Sequence, residues 1–417
     1  MISSSRTAGN ILMGTKNAEL PKNWSMEDLG EGRMVLNMGP SHPAMHGIVR
    51  ILLTVEGERV AEADVEIGYL HRGFEKTCEN VTYNQVIPYT DRLNYVSPFI
   101  NNAGFSLAVE KLLDIETPER CKYLRVIMSE LGRLQDHLTC VGANAMEQGA
   151  FTVYFYLINA REFLYRLTDA VSGGRVTPSY TRIGGVTGDL PPDFKARTAE
   201  AFQKVRKNLG DADKLLTRNR IFVDRMRGTG VISKQDAIAM SFTGPVLRAC
   251  GVPYDVRKAA PYLVYDRFDF TIPVGSNGDN YDRYLVRMEE MNQSMRIVEQ
   301  ALTQIPEGPI RHPGFDVSLP AKEEVYGNIE ALMAHFKLTF EGVKPPAGEV
   351  YQAVEGGNGE LGYYVVSDGS GKPYRVRVRP PCFPLMAGLS KLIKGGYIAD
   401  IISTFGMINM IGGELER

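Results

Sequence analysis

The stretch "MGPSHPAMHGIVRILL", residues 38–53, sets His42 and His46 four positions apart in a chain with only six histidines. Two imidazoles this close can bind a metal ion, cap the backbone of a turn, or handle protons beside a redox pocket. A helical i, i+4 pair would chelate a metal. Pro43 and Gly47 argue against a helix here, and no neighbouring cysteine or carboxylate cluster completes a ligand set. The five cysteines, Cys78, Cys121, Cys140, Cys250 and Cys382, form no Cys-x-x-Cys pair. That spacing suits reduced, buried thiols better than disulfides or thiolate ligands. Metal is the weakest of the three readings, and the residues alone leave all of them open.

Further chemistry-bearing side chains follow in "EIGYLHRGFEKTCENVTYNQVIPYTDRLNYVSPFINNAGF". Arg72 and Arg92 are permanent cations within apolar-rich segments, where they must pair or serve a nearby negative centre. Tyr69, Tyr83, Tyr89 and Tyr95 add phenols, each of which needs a partner if it is buried. Taken singly, such a tyrosine is more often a packed core residue than a functional one. Near the end, "YRVRVR" alternates Tyr374, Val376 and Val378 with Arg375, Arg377 and Arg379, a one-faced basic strip on a strand.

The elements that must position these groups are legible from periodicity. "RMVLNM", "IVRILLTVEG" and "VAEADVEIG" read as a small antiparallel meander, with the two-histidine loop joining its first two strands. Leu124, Ile127, Leu131, Leu134, Leu138 and Val141 form a helical stripe over residues 119–150. Glu130, Arg133, His137 and Asn144 lie along one edge of that stripe. A second long helix over 279–305 shows Leu285, Met288, Met295, Val298, Leu302 and Ile305 on one side, then stops at Pro306 and Gly308. Two glycine turns within 349–381 separate three alternating strands, a second meander. The C-terminal "LIKGGYIADIISTFGMINMIGGELER" reads as a short buried helix and a packed tail.

The chain therefore reads as α+β, mainly α. An extended polar arm covers residues 1–32 and a single large domain covers 33–417. The domain divides into a β-meander (33–66), a helical core (67–310), and a second meander with a buried tail (311–417). A length of 417 residues, 44% hydrophobic and 23% charged, is ordinary for a globular protein. A net charge of −2 offers nothing to nucleic acid. The N-terminal residues contain no apolar signal core. "GGYIADIISTFGMINMIGG" is broken by Asp400, Gly406 and Asn409, so no membrane-spanning helix is expected.

"HPAMHGIVR", "EIGYLHRGFEK", "YTDRLNYV", "SLAVEKLL", "VGSNGDNYDRYLVRMEEMNQS", "YVVSDGSGKPYRVRVRPP" and "GGELER" stand in colinear order from about Met34 to Arg417. Together they resemble the 49-kDa, hydrogenase-like quinone-site subunit of respiratory complex I (NADH:quinone oxidoreductase), known in bacteria as its D subunit. The resemblance implies a helical core like that of the nickel–iron hydrogenase large subunit, with two small antiparallel meanders. In those enzymes two Cys-x-x-Cys pairs hold a bimetallic centre. The first would fall on Asn94 and Ser97 in "RLNYVS", the second on Ile402 and Phe405 in "DIISTF". An amide, a hydroxyl, an alkyl group and a phenyl ring cannot assemble a soft metal centre, which excludes hydrogenase chemistry. The expected metal ligands of this chain are none.

The resemblance further implies that the vacated cavity takes a quinone. His46 and Tyr95 would hold the headgroup, with His42 serving loop rigidity. Glu147, where family members place an aspartate, would orient His46. Arg72, Arg92 and His137 would surround a [4Fe–4S] cluster carried by a small iron–sulfur partner subunit. Other peripheral-arm and membrane-arm subunits complete the partners, and NAD(H) would bind elsewhere in the complex. The expected place is the membrane periphery, on the cytoplasmic side in a bacterium or the matrix side in a mitochondrion. Two other readings stand beside this one: the same role in a complex fed by ferredoxin or another donor, and a scaffold subunit without redox chemistry.

Overall fold

A 29-residue helix, Glu119–Glu147, forms the axis of the protein, and at about 1.5 Å per residue it is some 43 Å long. The computed structural model describes residues 26–28, 32–42, 47–314 and 317–417. Within them the long helices are α1 (Pro98–Leu113), α2 (Glu119–Glu147), α3 (Phe151–Ser172), α4 (Phe194–Leu216), α5 (Asn280–Gln304) and α6 (Ile398–Ile408). Helix α2 packs against α1, α3, α5 and α6. Its apolar stripe is buried as its spacing predicts, and so is the polar edge of Glu130, Arg133, His137 and Asn144. A helix with protein on every side must satisfy those polar groups internally.

The turn from α2 to α3 takes three residues, with Gly149 at φ 87°. Only glycine adopts that conformation without strain, so the chain reverses directly after Glu147. On α5 the buried face differs from the one periodicity predicts. Leu285 is exposed, while Arg283, Arg287 and Glu290 are buried beside Tyr284, Met291 and Met295. Apolar spacing misplaces this face because charged residues with internal partners occupy it.

The first sheet has the order β1 (Met26–Asp28), β2 (Arg33–Met38), β3 (Arg50–Glu56) and β4 (Arg59–Glu66), all antiparallel. Its first strand lies inside the segment that reads from sequence as an arm. Ile51, Leu53 and Val55 of β3 point into a core shared with α6 and the C-terminal tail. A two-stranded ribbon, β5 (Thr181–Arg182) and β6 (Gly185–Val186), interrupts the helices. The second sheet runs β7 (Gly348–Glu355), β8 (Glu360–Ser367) and β9 (Arg375–Arg379). Val350, Val365, Val376 and Val378 press it against α1. Helices at Lys322–Gly327 and Ile329–Phe340 precede this sheet, in a stretch where the sequence shows only a meander and a tail. The basic strip of β9 is largely neutralised at home: Arg375 pairs with Glu79 at 3.0 Å and Arg377 with Glu75 at 2.7 Å.

Candidate functional site

Tyr95 sits in the loop before α1, between two side chains that reach inward. Asn94 Nδ2 donates to Asp136 Oδ2 at 2.8 Å and Ser97 Oγ donates to the same oxygen at 3.4 Å. Asn94 Oδ1 accepts from the Val96 amide at 3.2 Å, bracing the backbone across Tyr95. Asp136, Asn94 and Ser97 are buried, yet the Tyr95 ring is 43% exposed. The Tyr95 hydroxyl makes no hydrogen bond among the described residues. Burial, then the charges of Asp136 and Cys382, hold the phenol pKa above its ordinary value. Tyr95 is therefore a protonated donor resting on a rigid polar base.

The glycine turn between β7 and β8 supplies the floor of that base. Gly357 lies so close to Asp136 that a Cβ there would come within 1.9 Å of Oδ2. Next to it, Asn358 Oδ1 accepts from Asn409 Nδ2 at 2.7 Å. Asn409 also donates to Asp136 Oδ1 at 2.9 Å. Asn358 Nδ2 donates to the Asn409 carbonyl at 3.0 Å and approaches Cys382 Sγ at 3.5 Å. Behind these, Glu414 Oε1 accepts from the Cys382 amide at 3.1 Å. Burial pushes the Glu414 pKa up to about 7, with Asp136 acting in the same sense.

The C-terminal segment runs beneath the loops that bear the arginines. A Cβ on Gly413 would meet the Arg92 carbonyl at 2.3 Å. Arg72 Nη2 donates to the carbonyls of Arg92 at 2.9 Å and Gly413 at 3.1 Å. Arg92 Nη1 donates to the Pro88 carbonyl at 2.7 Å. Burial, and then the neighbouring Arg92, lower the Arg72 pKa. Glu416 accepts from the amides of Gly68 (2.7 Å) and Leu70, which pins the loop leading to Arg72. Arg72, Arg92 and Tyr95 thus stand on loops held by one tail.

Glu147, half-buried at the end of α2, lies against Gly406 of α6, where a Cβ would come within 2.6 Å of its Oε2. Asn144 Nδ2 and Gln148 Nε2 donate to the Ser403 carbonyl (3.2 Å) and hydroxyl (2.6 Å), joining the same two helices. His46 and Pro43 lie outside the described residues. Gly47, which the sequence suggests for a close backbone approach, has φ 110° and abuts the Met410 side chain. His42 lines a cleft of about 440 Å³ with Leu36, Met38, Tyr397 and Ile402. All five cysteines are buried and none is paired. Among the described residues, no group of three or more His, Cys, Asp or Glu side chains is placed to hold a metal.

His137 is fully buried and shares no hydrogen bond or ion pair with Arg72 or Arg92. Arg287 Nη1 donates to its Nδ1 at 3.1 Å, which leaves Nε2–H to donate to Glu290 Oε2 at 2.7 Å. Burial lowers the His137 pKa, with Arg287 contributing and Glu290 opposing. From Glu290 a buried ionic chain continues through Arg248 (2.6 Å) to Glu355 (2.8 Å). A second group joins Asp255, Arg257, Glu130 and Arg133. Tyr265 and Ser294 each donate to Glu130 at 2.7 Å.

The match to the hydrogenase thiolate positions needs one correction. The C-terminal residue that meets Asn94 and Ser97, through Asp136, is Asn409, while Ile402 faces the His42 cleft. Sequence reasoning also passed over Asp136, Asn358, Gly357, Glu414 and Glu416. The only signals were the glycine turn and the unusual density of polar residues within apolar helices.

Comparison with known proteins decides the family. Residues 147–417 match the respiratory-chain NADH dehydrogenase 49-kDa subunit family. The chain belongs to that family. The first of two D subunits of NADH-quinone oxidoreductase in Sorangium cellulosum is 57% identical over 391 residues, covering 94% of this chain and 97% of that protein. The corresponding D subunit of Myxococcus xanthus is 57% identical over 385 residues, covering 92% and 93%. The C/D subunit of Bdellovibrio bacteriovorus is 48% identical over 389 residues, covering 93% of this chain and 70% of that protein. No helix of the described residues in this 49-kDa-family chain is long and apolar enough to cross a membrane.

Proposed function

We propose that this chain is the quinone-site subunit of a proton-pumping NADH–quinone oxidoreductase, with Tyr95 and His46 as donors to the quinone headgroup. The observation that carries the reading is the Tyr95 phenol, part-exposed and held by its neighbours on the buried Asp136 base. The names of the relatives support the reaction class. The helical core with vacated thiolate positions supports a hydrogenase-like ancestry.

Reduction of a quinone adds two electrons and two protons, so negative charge develops on both carbonyl oxygens. A preorganised phenol offers a hydrogen bond to one oxygen and then a proton, as oxyanion donors do in other enzymes. His46 would serve the other oxygen, with Glu147 at the end of α2 holding the imidazole cationic. Electrons come from a [4Fe–4S] cluster in a small iron–sulfur partner. Arg72 and Arg92, adjacent on the surface, provide the positive face toward that partner, where nearby charge raises a cluster's potential. His137, sealed between Arg287 and Glu290, contributes from behind as a neutral link rather than as a surface group. The protein sits at the membrane periphery with the other complex I subunits, on the cytoplasmic or matrix side, and NAD(H) is oxidised elsewhere in the assembly.

Tyr95→Phe tests the reading. The complex should assemble and pass electrons from NADH to an artificial acceptor at the normal rate. Quinone reduction should fall about a hundredfold or more, the scale of a lost general acid. Normal quinone turnover in this variant would refute the role of Tyr95.

A further inference from the structure

We infer that Asp136 is the positioning residue of the Tyr95 donor, a buried carboxylate that fastens the Tyr95 loop to α2 and to the C-terminal tail. The inference rests on the reading of Tyr95 as the quinone donor. Its basis is geometric. Asp136 takes hydrogen bonds from residues on both sides of Tyr95, Asn94 at 2.8 Å and Ser97 at 3.4 Å, and from Asn409 at 2.9 Å on its other oxygen. Three separate stretches of chain therefore meet at one carboxylate. Gly357, with no room for a Cβ, closes the fourth side.

The node holds one charge among neutral amides and a hydroxyl. Asn358 separates it from the nearest buried cation: Arg287 Nη2 donates to Asn358 Oδ1 at 3.3 Å, and the same oxygen accepts from Asn409. Cys382 and Glu414 face the node from the C-terminal side, and Asp91 and Arg92 precede Tyr95 on its own loop. The Asp91 side chain is turned away toward Asn102 and Ser179. Asp136 is thus the carboxylate whose partners bracket the phenol. Its charge favours the protonated, donating form of Tyr95, and its hydrogen bonds fix where that donor stands. A displacement of 1 Å at such a donor costs on the order of a hundredfold in rate.

The hydrogen-bond pattern also says how the node can be rewired. Asn409 donates an amide to a carboxylate, so exchanging the two types keeps one amide–carboxylate bond and one charge. Position 409 has φ 57°, a conformation aspartate tolerates as asparagine does.

The test uses the full complex with Asp136→Asn, the exchange Asp136→Asn with Asn409→Asp, Tyr95→Phe, and Asp136→Asn combined with Tyr95→Phe. Each is assayed for NADH oxidation by an artificial acceptor and for kcat and KM of quinone reduction. Asp136→Asn should leave the artificial-acceptor rate unchanged and lower quinone kcat by about tenfold to a hundredfold. The exchange should recover quinone turnover to within about threefold of normal, and Asp136→Asn should add less than about twofold in the Tyr95→Phe background. Recovery by the exchange supports the inference even if Asp136→Asn alone fails to assemble. Full quinone turnover in assembled Asp136→Asn overturns it, as does an exchange variant that stays as slow or as unassembled as the single one. An undiminished additional loss in the Tyr95→Phe background also overturns it. Normal turnover in Tyr95→Phe by itself would instead remove the reading of Tyr95 on which the inference stands.

Discussion

Asn409, in the left-handed conformation at the end of α6, donates to Asp136 in the middle of α2 across 2.9 Å. This bond ties the last residues of the chain to its longest helix. Because the same tail underlies the loops of Arg72 and Arg92, it also sets the relation between those cations and Tyr95. Asn409→Ala removes the bonds to Asp136 and Asn358 and loses the residue type suited to φ 57°. It should destabilise the protein by about 2–3 kcal/mol, read as a lower inactivation temperature of the assembled complex.

Gly357→Ala would place a methyl group 1.9 Å from Asp136 Oδ2. The carboxylate must move, so quinone turnover should drop about tenfold or more while electron flow to an artificial acceptor persists. Gly210→Ala in α4, with nothing within 4 Å of the new Cβ, should be neutral or stabilising by up to about 1 kcal/mol. Equal effects of the two substitutions would contradict the packing described.

Glu414 has a folded-state pKa raised from the ordinary 4.5 to about 7 by burial. Its stabilising effect is complete below the unfolded value and is lost as pH rises through the folded one. Stability should therefore decline between about pH 4.5 and 7, by about 3 kcal/mol for this group. Glu414→Gln should flatten that decline, measurable as thermal inactivation of the complex across the pH range.

Glu130 accepts from Arg133, Arg257, Tyr265 and Ser294 with no exposed surface. Although burial opposes it, Arg133 and Arg257 hold its pKa below the usual carboxylate range. Glu130→Ala leaves two buried guanidinium groups short of an anion, at a cost of about 3–5 kcal/mol. The variant protein should fail to accumulate in the assembled complex at growth temperature.

Glu416→Ala frees the amides of Gly68 and Leu70. Hydrogen exchange at those two amides should quicken by about tenfold, as expected from losing roughly 1.4 kcal/mol of local protection. Exchange unchanged in the variant would mean that the Arg72 loop is held by something other than the tail.

The sequence by itself determined the elements whose periodicity is driven by apolar burial. The α2 stripe from Leu124 to Val141, the two antiparallel meanders and the short helix near the end all follow from spacing that admits one buried face. It also ruled out a thiolate metal centre at Asn94 and Ser97, and the family motifs drew attention to Tyr95, Arg72 and Arg92. Where burial involves charge, periodicity fails. Leu285 of α5 is exposed while Arg287 and Glu290 beside it are buried, because internal partners remove the cost of desolvation. Only the tertiary structure decided that Asp136, Asn358, Asn409 and Glu414, drawn from four distant segments, meet beneath Tyr95. Hydrogen bonds across such separations leave no periodic trace in the chain, since each partner satisfies its need through a residue that sequence order places elsewhere.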